Sequence, residues 1–162
     1  AAQAPAGPSA PDMASTPVPT ATGSELVWTA PAGWTSRAAS AMRKATYIIS
    51  GPDGTSAELA ITAFPGDVGG DLANINRWRG QLQLPPITAS ELSSALVRFE
   101  ANGLTIGVAE MVAATGNPPD RVLGGIVPFA GSTWFFKLTG PDPLVASERQ
   151  AFIDFLRNVR AP

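Results

Sequence analysis

Neither cysteine nor histidine occurs among the 162 residues. Without cysteine there is no disulfide, no thiolate nucleophile and no sulfur-ligated metal. Without histidine the Ser-His-Asp and Cys-His mechanisms, the HExxH zinc motif and imidazole metal ligands are all excluded. Charge is also scarce: 11 basic against 13 acidic residues give a net −2, with a pI near 5.0. A nucleic-acid partner would call for a basic stripe, and none is present. Long apolar runs are missing too, since a bilayer-spanning helix needs about 18 such residues. The longest uncharged stretch of the folded part, residues 122–136, is broken by Gly124, Gly125, Pro128 and Gly131. No signal-peptide pattern opens the sequence, so a mature or a cytosolic chain is expected.

What is present divides the chain in two. Residues 1–24 are Ala, Pro, Ser, Thr and Gly with the single charge Asp12, and Pro5, Pro8, Pro11, Pro17 and Pro19 interrupt any regular element. Little in this stretch can be buried, and it reads as a tether that would reach about 75 Å at roughly 3.1 Å per residue. Residues 25–162 are expected to form a single domain, because hydrophobic residues make up 44% of the chain and its length suits one core.

Within that domain, residues 25–28 read as a short strand, followed by a turn between Trp28 and Trp34. Strands over 42–50 and 57–64 flank Gly51-Pro52-Asp53-Gly54, a hairpin signal. Ala57, Leu59, Ile61 and Ala63 share one face of the second. A glycine-rich loop leads into a helix over 71–82 that opens on Asp71 and ends at Pro85-Pro86. Thr88 and Glu91 have the spacing of a capping box. Strands over 96–101 and 104–113 flank Asn102-Gly103, and strands over 121–129 and 133–138 flank Ala130-Gly131-Ser132. A closing helix over 147–159 carries Phe152, Phe155, Leu156 and Val159 on one side. The pattern predicts an α+β fold, a central antiparallel sheet of six to seven strands flanked by helices.

Functional side chains concentrate in the helix over 71–82. At about 100° per residue Leu72, Ile75, Trp78 and Leu82 form an apolar arc that includes Arg79, while Asn74, Arg77 and Gln81 form a polar stripe beside Trp78. The stripe with Trp78 at its margin is the candidate binding surface, because Arg and Trp dominate interface hot spots. The competing reading makes Trp78 core and the arginines loop anchors. Arg79, lying among apolar neighbours, is expected to be more buried than Arg77 and to form a structural ion pair with Asp67, Asp71, Glu58, Glu100 or Glu110. Asp67 and Asp71 could offer oxygens to calcium but fall short of its six to eight ligands, so they read as a helix-capping loop and no metal is expected. The loop lacks Gly-Lys-Ser/Thr and Gly-x-Gly-x-x-Gly, so no phosphate loop is expected there. Trp28, Trp34 and Trp134 read as core or sheet-edge aromatics, each needing an indole N–H partner.

Trp28-x-x-Pro31-x-Gly33-Trp34, a hairpin, a helix bearing Asn76-Arg77-Trp78, later hairpins and Phe136-Lys137-Leu138-Thr139-Gly140-Pro141 before a terminal helix follow one another in a familiar order. In this layout, from Leu26 to Arg160, the chain resembles the PsbP-like superfamily, which includes PsbP and the Ran-binding Mog-type proteins. It is most similar there to exported bacterial lipoproteins with a Pro/Ala/Ser-rich tether. The resemblance implies an α/β/α sandwich acting as a binding or assembly-assisting module, without catalytic residues or cofactor. It also implies export to the periplasm or cell surface, with an unknown protein or envelope component as partner. Residue 1 is Ala and not the cysteine of a lipoprotein, so a lipid anchor would have to lie before it. Two alternatives stand beside this: a hydrolase of a cell-envelope polymer using two carboxylates 5–9.5 Å apart, which is about the glycosidase range, and a structural spacer domain.

Overall fold

The computed structural model describes residues 25–162; the segment read as a tether, residues 1–24, lies outside the described residues. Chain order among the described residues is β1 (Trp34–Arg37), β2 (Ala45–Ser50), β3 (Ser56–Pro65), α1 (Asp71–Gln81), α2 (Leu92–Ala95), β4 (Val97–Ala101), β5 (Leu104–Gly116), β6 (Pro119–Phe129), β7 (Ser132–Pro141), α3 (Asp142–Ser147) and α4 (Arg149–Asn158). The strands form one antiparallel sheet in the order β1-β2-β3-β7-β6-β5-β4. Two antiparallel meanders, β1-β2-β3 and β4-β5-β6-β7, thus meet where β3 pairs with β7, and the helices lie on both faces. This is the α+β layered fold that the sequence pattern predicts.

Local chemistry accounts for the hairpins. Asn102 and Gly103 both adopt positive φ, 54° and 77°, as do Ala130 and Gly131 at 52° and 79°. Two consecutive positive-φ residues give the turn whose twist matches that of paired strands. Thr88 and Glu91 complete the expected capping box at the short 3-10 turn Ala89–Glu91 before α2.

Strand alternation builds a core on each face. The first holds Leu59, Ile61, Phe136, Leu138, Leu123 and Ile106 from the sheet, closed by Val145, Phe152, Phe155 and Leu156 of α3 and α4. The second is smaller, with Ile75 and Trp78 of α1, Leu82 and Leu96 packed on Ala109, Met111, Val122, Ile126 and Phe135. Adjacent glycines in β6 let both helical layers approach. A Cβ on Gly124 would stand 2.2 Å from Trp78, and one on Gly125 would stand 3.1 Å from Leu156 on the opposite face.

Two expected elements differ. The strand over 25–28 is a single bridge, Val27 to Arg160, since Trp28 turns inward against Trp134, Phe136 and Phe155. The terminal helix is two: α3 starts at Asp142, and Glu148 at φ −93°, ψ 2° separates it from α4. Gly-Pro-Asp-Pro looks like a turn, yet proline is accommodated in a first helical turn, where its missing N–H would bond nothing.

Candidate functional site

The helix that carries the polar stripe lies across β5, β6 and β7, anchored by Trp78 over Gly124. Its four candidates do not share one environment. Trp78 is core, 3% exposed, with its ring edge-on to Phe135. Asn74 is wholly buried, so it is no contact residue; its Oδ1 accepts from Arg77 Nη1 at 2.7 Å. Arg77 can only donate, which fixes the amide's orientation and leaves Asn74 Nδ2 without an acceptor among the described residues. Arg77 and Gln81 are the two exposed members, and the Arg77 guanidinium lies 5.7 Å from the Phe135 ring centre.

Arg79 is indeed more buried than Arg77. Its expected carboxylate is replaced by a carbonyl: Nε donates to Pro85 O at 2.7 Å, and no acid among the described residues lies within 4 Å. The cause is the turn after the helix. Leu84 N–H returns to Arg79 O at 2.9 Å with Gln83 at φ 62°, and the reversed chain brings the Pro85 carbonyl to the guanidinium.

The register supplies what the stripe lacks. Thr46, Ala60, Lys137, Gly124 and Ala109 face one another across β2, β3, β7, β6 and β5. Lys137 therefore stands beside the Trp78 anchor, and its ammonium donates to Gln81 Oε1. Farther out, Arg43 reaches Thr46 Oγ1 at 3.3 Å and Glu58 at 3.2 Å. Ile48, Glu58, Ala60, Thr62 and Thr139 are only partly buried on this side. The result is an open shelf with α1 as its wall, Lys137 in its floor and Arg77 and Arg43 on its margins.

Burial pushes the Lys137 ammonium below the ordinary lysine value, and Arg77 and then Arg43 add to that. The unfolded chain thus holds this proton to higher pH than the native one. Charged Lys137 is a burden below its native value, relieved as pH rises toward the ordinary lysine range. In urea melts from pH 8 to 10.5, wild type should gain stability relative to Lys137→Met; parallel profiles would contradict the burial of charge.

Other features stood out less in the sequence. A groove of about 480 Å³ runs between α4 and the β4-β5 edge, floored by Val97, Phe99, Val108 and Leu123. Arg157 stacks 4.6 Å over Phe99, and Glu110 at one end accepts from Arg121 and Arg149. The nearest sequence signal was the run of alternating apolar residues in an edge strand. Asp67 and Asp71 line another hollow, about 450 Å³. Asp67 Oδ1 caps the Gly69 N–H at 3.2 Å and Asp71 pairs with Arg98 at 2.6 Å. Among the described residues no three His, Cys, Asp or Glu side chains gather as a metal site. Trp28 Nε1 donates to Tyr47 Oη at 3.0 Å and Trp34 Nε1 to Glu148 Oε1 at 3.1 Å. Trp134 Nε1 has no acceptor among the described residues, although Lys44 lies over its ring.

No protein-family model matches the chain, and comparison with curated proteins finds no match. Among solved structures, it is similar to LpqN, involved in cell envelope biogenesis of Mycobacterium tuberculosis, at TM-score 0.54 and 12% identity over 86% of this chain and 84% of LpqN. A structure from Bacteroides thetaiotaomicron overlaps 85% of this chain and 45% of its own at TM-score 0.47 and 8% identity. No helix of the described residues is long and apolar enough to cross a membrane. At that identity the likeness to LpqN is one of architecture: the two chains share a layered sheet-and-helix fold.

Proposed function

We propose that this chain is a non-enzymatic binding or assembly-assisting module of the cell envelope, of PsbP-like layout, exported and tethered through residues 1–24. The observation that carries it is the shelf beside α1, where exposed Arg77 and Gln81 meet Lys137 on an uncovered part of the sheet. LpqN's part in envelope biogenesis supports the envelope assignment, and the order of hairpins and helices supports the PsbP-like one. The partner contact is made by Arg77, Gln81 and Lys137, with Asn74 and Trp78 holding their helix in place.

Replacing Arg77 and Gln81 together by alanine tests this. Arg77 gives up an exposed ring contact and its hydrogen bond to the buried Asn74 Oδ1, which is left without that donor, so stability should fall by about 1–3 kcal/mol. Co-sedimentation with purified cell-envelope fractions should fall at least tenfold. Unchanged sedimentation, or a loss of stability beyond that range, would assign the stripe to structure alone and favour a spacer domain. The Asp67–Asp71 hollow supports a second reading, hydrolysis of an envelope polymer. Release of reducing ends from envelope glycan, abolished by Asp67→Asn, would replace the binding module with that enzyme.

A further inference from the structure

We propose that the shelf beside α1 is an anion site that takes a dianionic phosphate monoester. This rests on the binding-module reading above and names the chemical class of its ligand. Three cations, Arg43, Arg77 and Lys137, converge there, and the one carboxylate bonded to any of them among the described residues is Glu58, on Arg43. Neither Arg77 nor Lys137 has an acid within 4 Å among the described residues. The two positive charges left over stand on the same side of the shelf, Arg77 on α1 over Phe135 and Lys137 beside Gln81 of that helix, and the residue next to Lys137 on β3 is the small Ala60.

The donors are of the types that a phosphoryl group takes. Lys137 has three N–H bonds, one of which goes to Gln81; Arg77 uses Nη1 on Asn74 and keeps the rest of its fork. Guanidinium gives planar, two-pronged contacts and ammonium a point charge, the pair of residue types that phosphate sites combine. Thr62 and Thr139 share the sheet face with Lys137, partly exposed, and add hydroxyl donors. A carboxylate ligand would cancel one charge only, whereas a phosphate monoester cancels both. Its second pKa, near 6, makes it close to a dianion at neutral pH. The lowered proton affinity of Lys137 agrees with a site whose counter-charge comes from outside the chain.

Phosphate monoesters exist free and as lipid headgroups, and the experiment separates the two. The full chain is titrated with inorganic phosphate and glycerol 3-phosphate by calorimetry, and with phosphatidic acid vesicles against phosphatidylcholine vesicles by flotation. Lys137→Met and Arg77→Met should each weaken binding by at least tenfold, about 1.4 kcal/mol. Glu58→Gln, which removes the competing carboxylate, should tighten it several-fold. Response to the soluble esters alone assigns a free ligand, and response to phosphatidic acid alone assigns a headgroup. Silence of every probe at 10 mM, or binding unmoved by Lys137→Met in a chain with wild-type circular dichroism, would overturn the proposal. If the probes are silent while Arg77→Ala with Gln81→Ala still loses envelope fractions, only the ligand class falls. If phosphate binds but the envelope fractions do not depend on the stripe, the anion site stands and the envelope reading fails.

Discussion

Phe155→Ala should lower the unfolding free energy by about 3–5 kcal/mol, the range for a large aromatic removed from a core. Phe155 is 1% exposed, and its ring meets Trp34 at 5.2 Å, Phe136 at 5.9 Å, Trp28 at 6.3 Å and Tyr47 at 6.5 Å. Those four rings come from the N-terminal turn, β1, β2 and β7, so one side chain of α4 joins segments remote in sequence. Truncation leaves a cavity among rigid rings that cannot collapse into it, which puts the cost at the upper part of the range. For a domain of this size the melting temperature should fall by roughly 10–20 °C. Thermal unfolding followed by tryptophan fluorescence checks both, because Trp28 and Trp34 flank the deleted ring. A fall of less than about 1 kcal/mol would mean that this layer is not part of the cooperative unit.

The elements most legible in the sequence were those fixed by short-range rules. Asn102-Gly103, the capping box at Thr88 and Glu91, and the i, i+3, i+4 spacing of Phe152, Phe155 and Leu156 each encode their geometry within a few residues. The shelf was legible only by half. Arg77 and Gln81 could be placed on a helix face, but Lys137 is 56 residues from Gln81 and reaches it only through the pairing of β7 with β6 and β3. Asn74 misled because helical angle separates faces without saying how wide the buried one is; α1 lies close enough to the sheet to bury a flanking amide as well. Arg79 misled for a different reason. A half-buried guanidinium needs acceptors, and a turn carbonyl serves as well as a carboxylate without leaving any trace in the sequence.

That closeness of α1 to the sheet yields the second large effect, at Gly124. In Gly124→Ala the new Cβ would lie 2.2, 2.6 and 2.9 Å from three atoms of the Trp78 ring, closer than packed atoms come. Trp78 is 3% exposed and wedged against Phe135, so the ring cannot swing aside and the helix must lift or the strand must bend. Overpacking of this kind costs about 1–3 kcal/mol or more, although alanine in place of glycine would otherwise suit a strand. Trp78→Leu alone should also destabilise, by about 2–4 kcal/mol, through lost burial and a cavity. Together the two substitutions should cost at least about 1 kcal/mol less than their sum, since the smaller side chain makes room for the methyl. Urea unfolding of the four proteins measures this, and strict additivity would show that the ring and the glycine do not oppose one another. The same lift carries Arg77 and Gln81 away from Lys137, which stays on the sheet. Gly124→Ala should therefore weaken glycerol 3-phosphate binding severalfold, although no side chain of the shelf is changed, and adding Trp78→Leu should recover part of the loss.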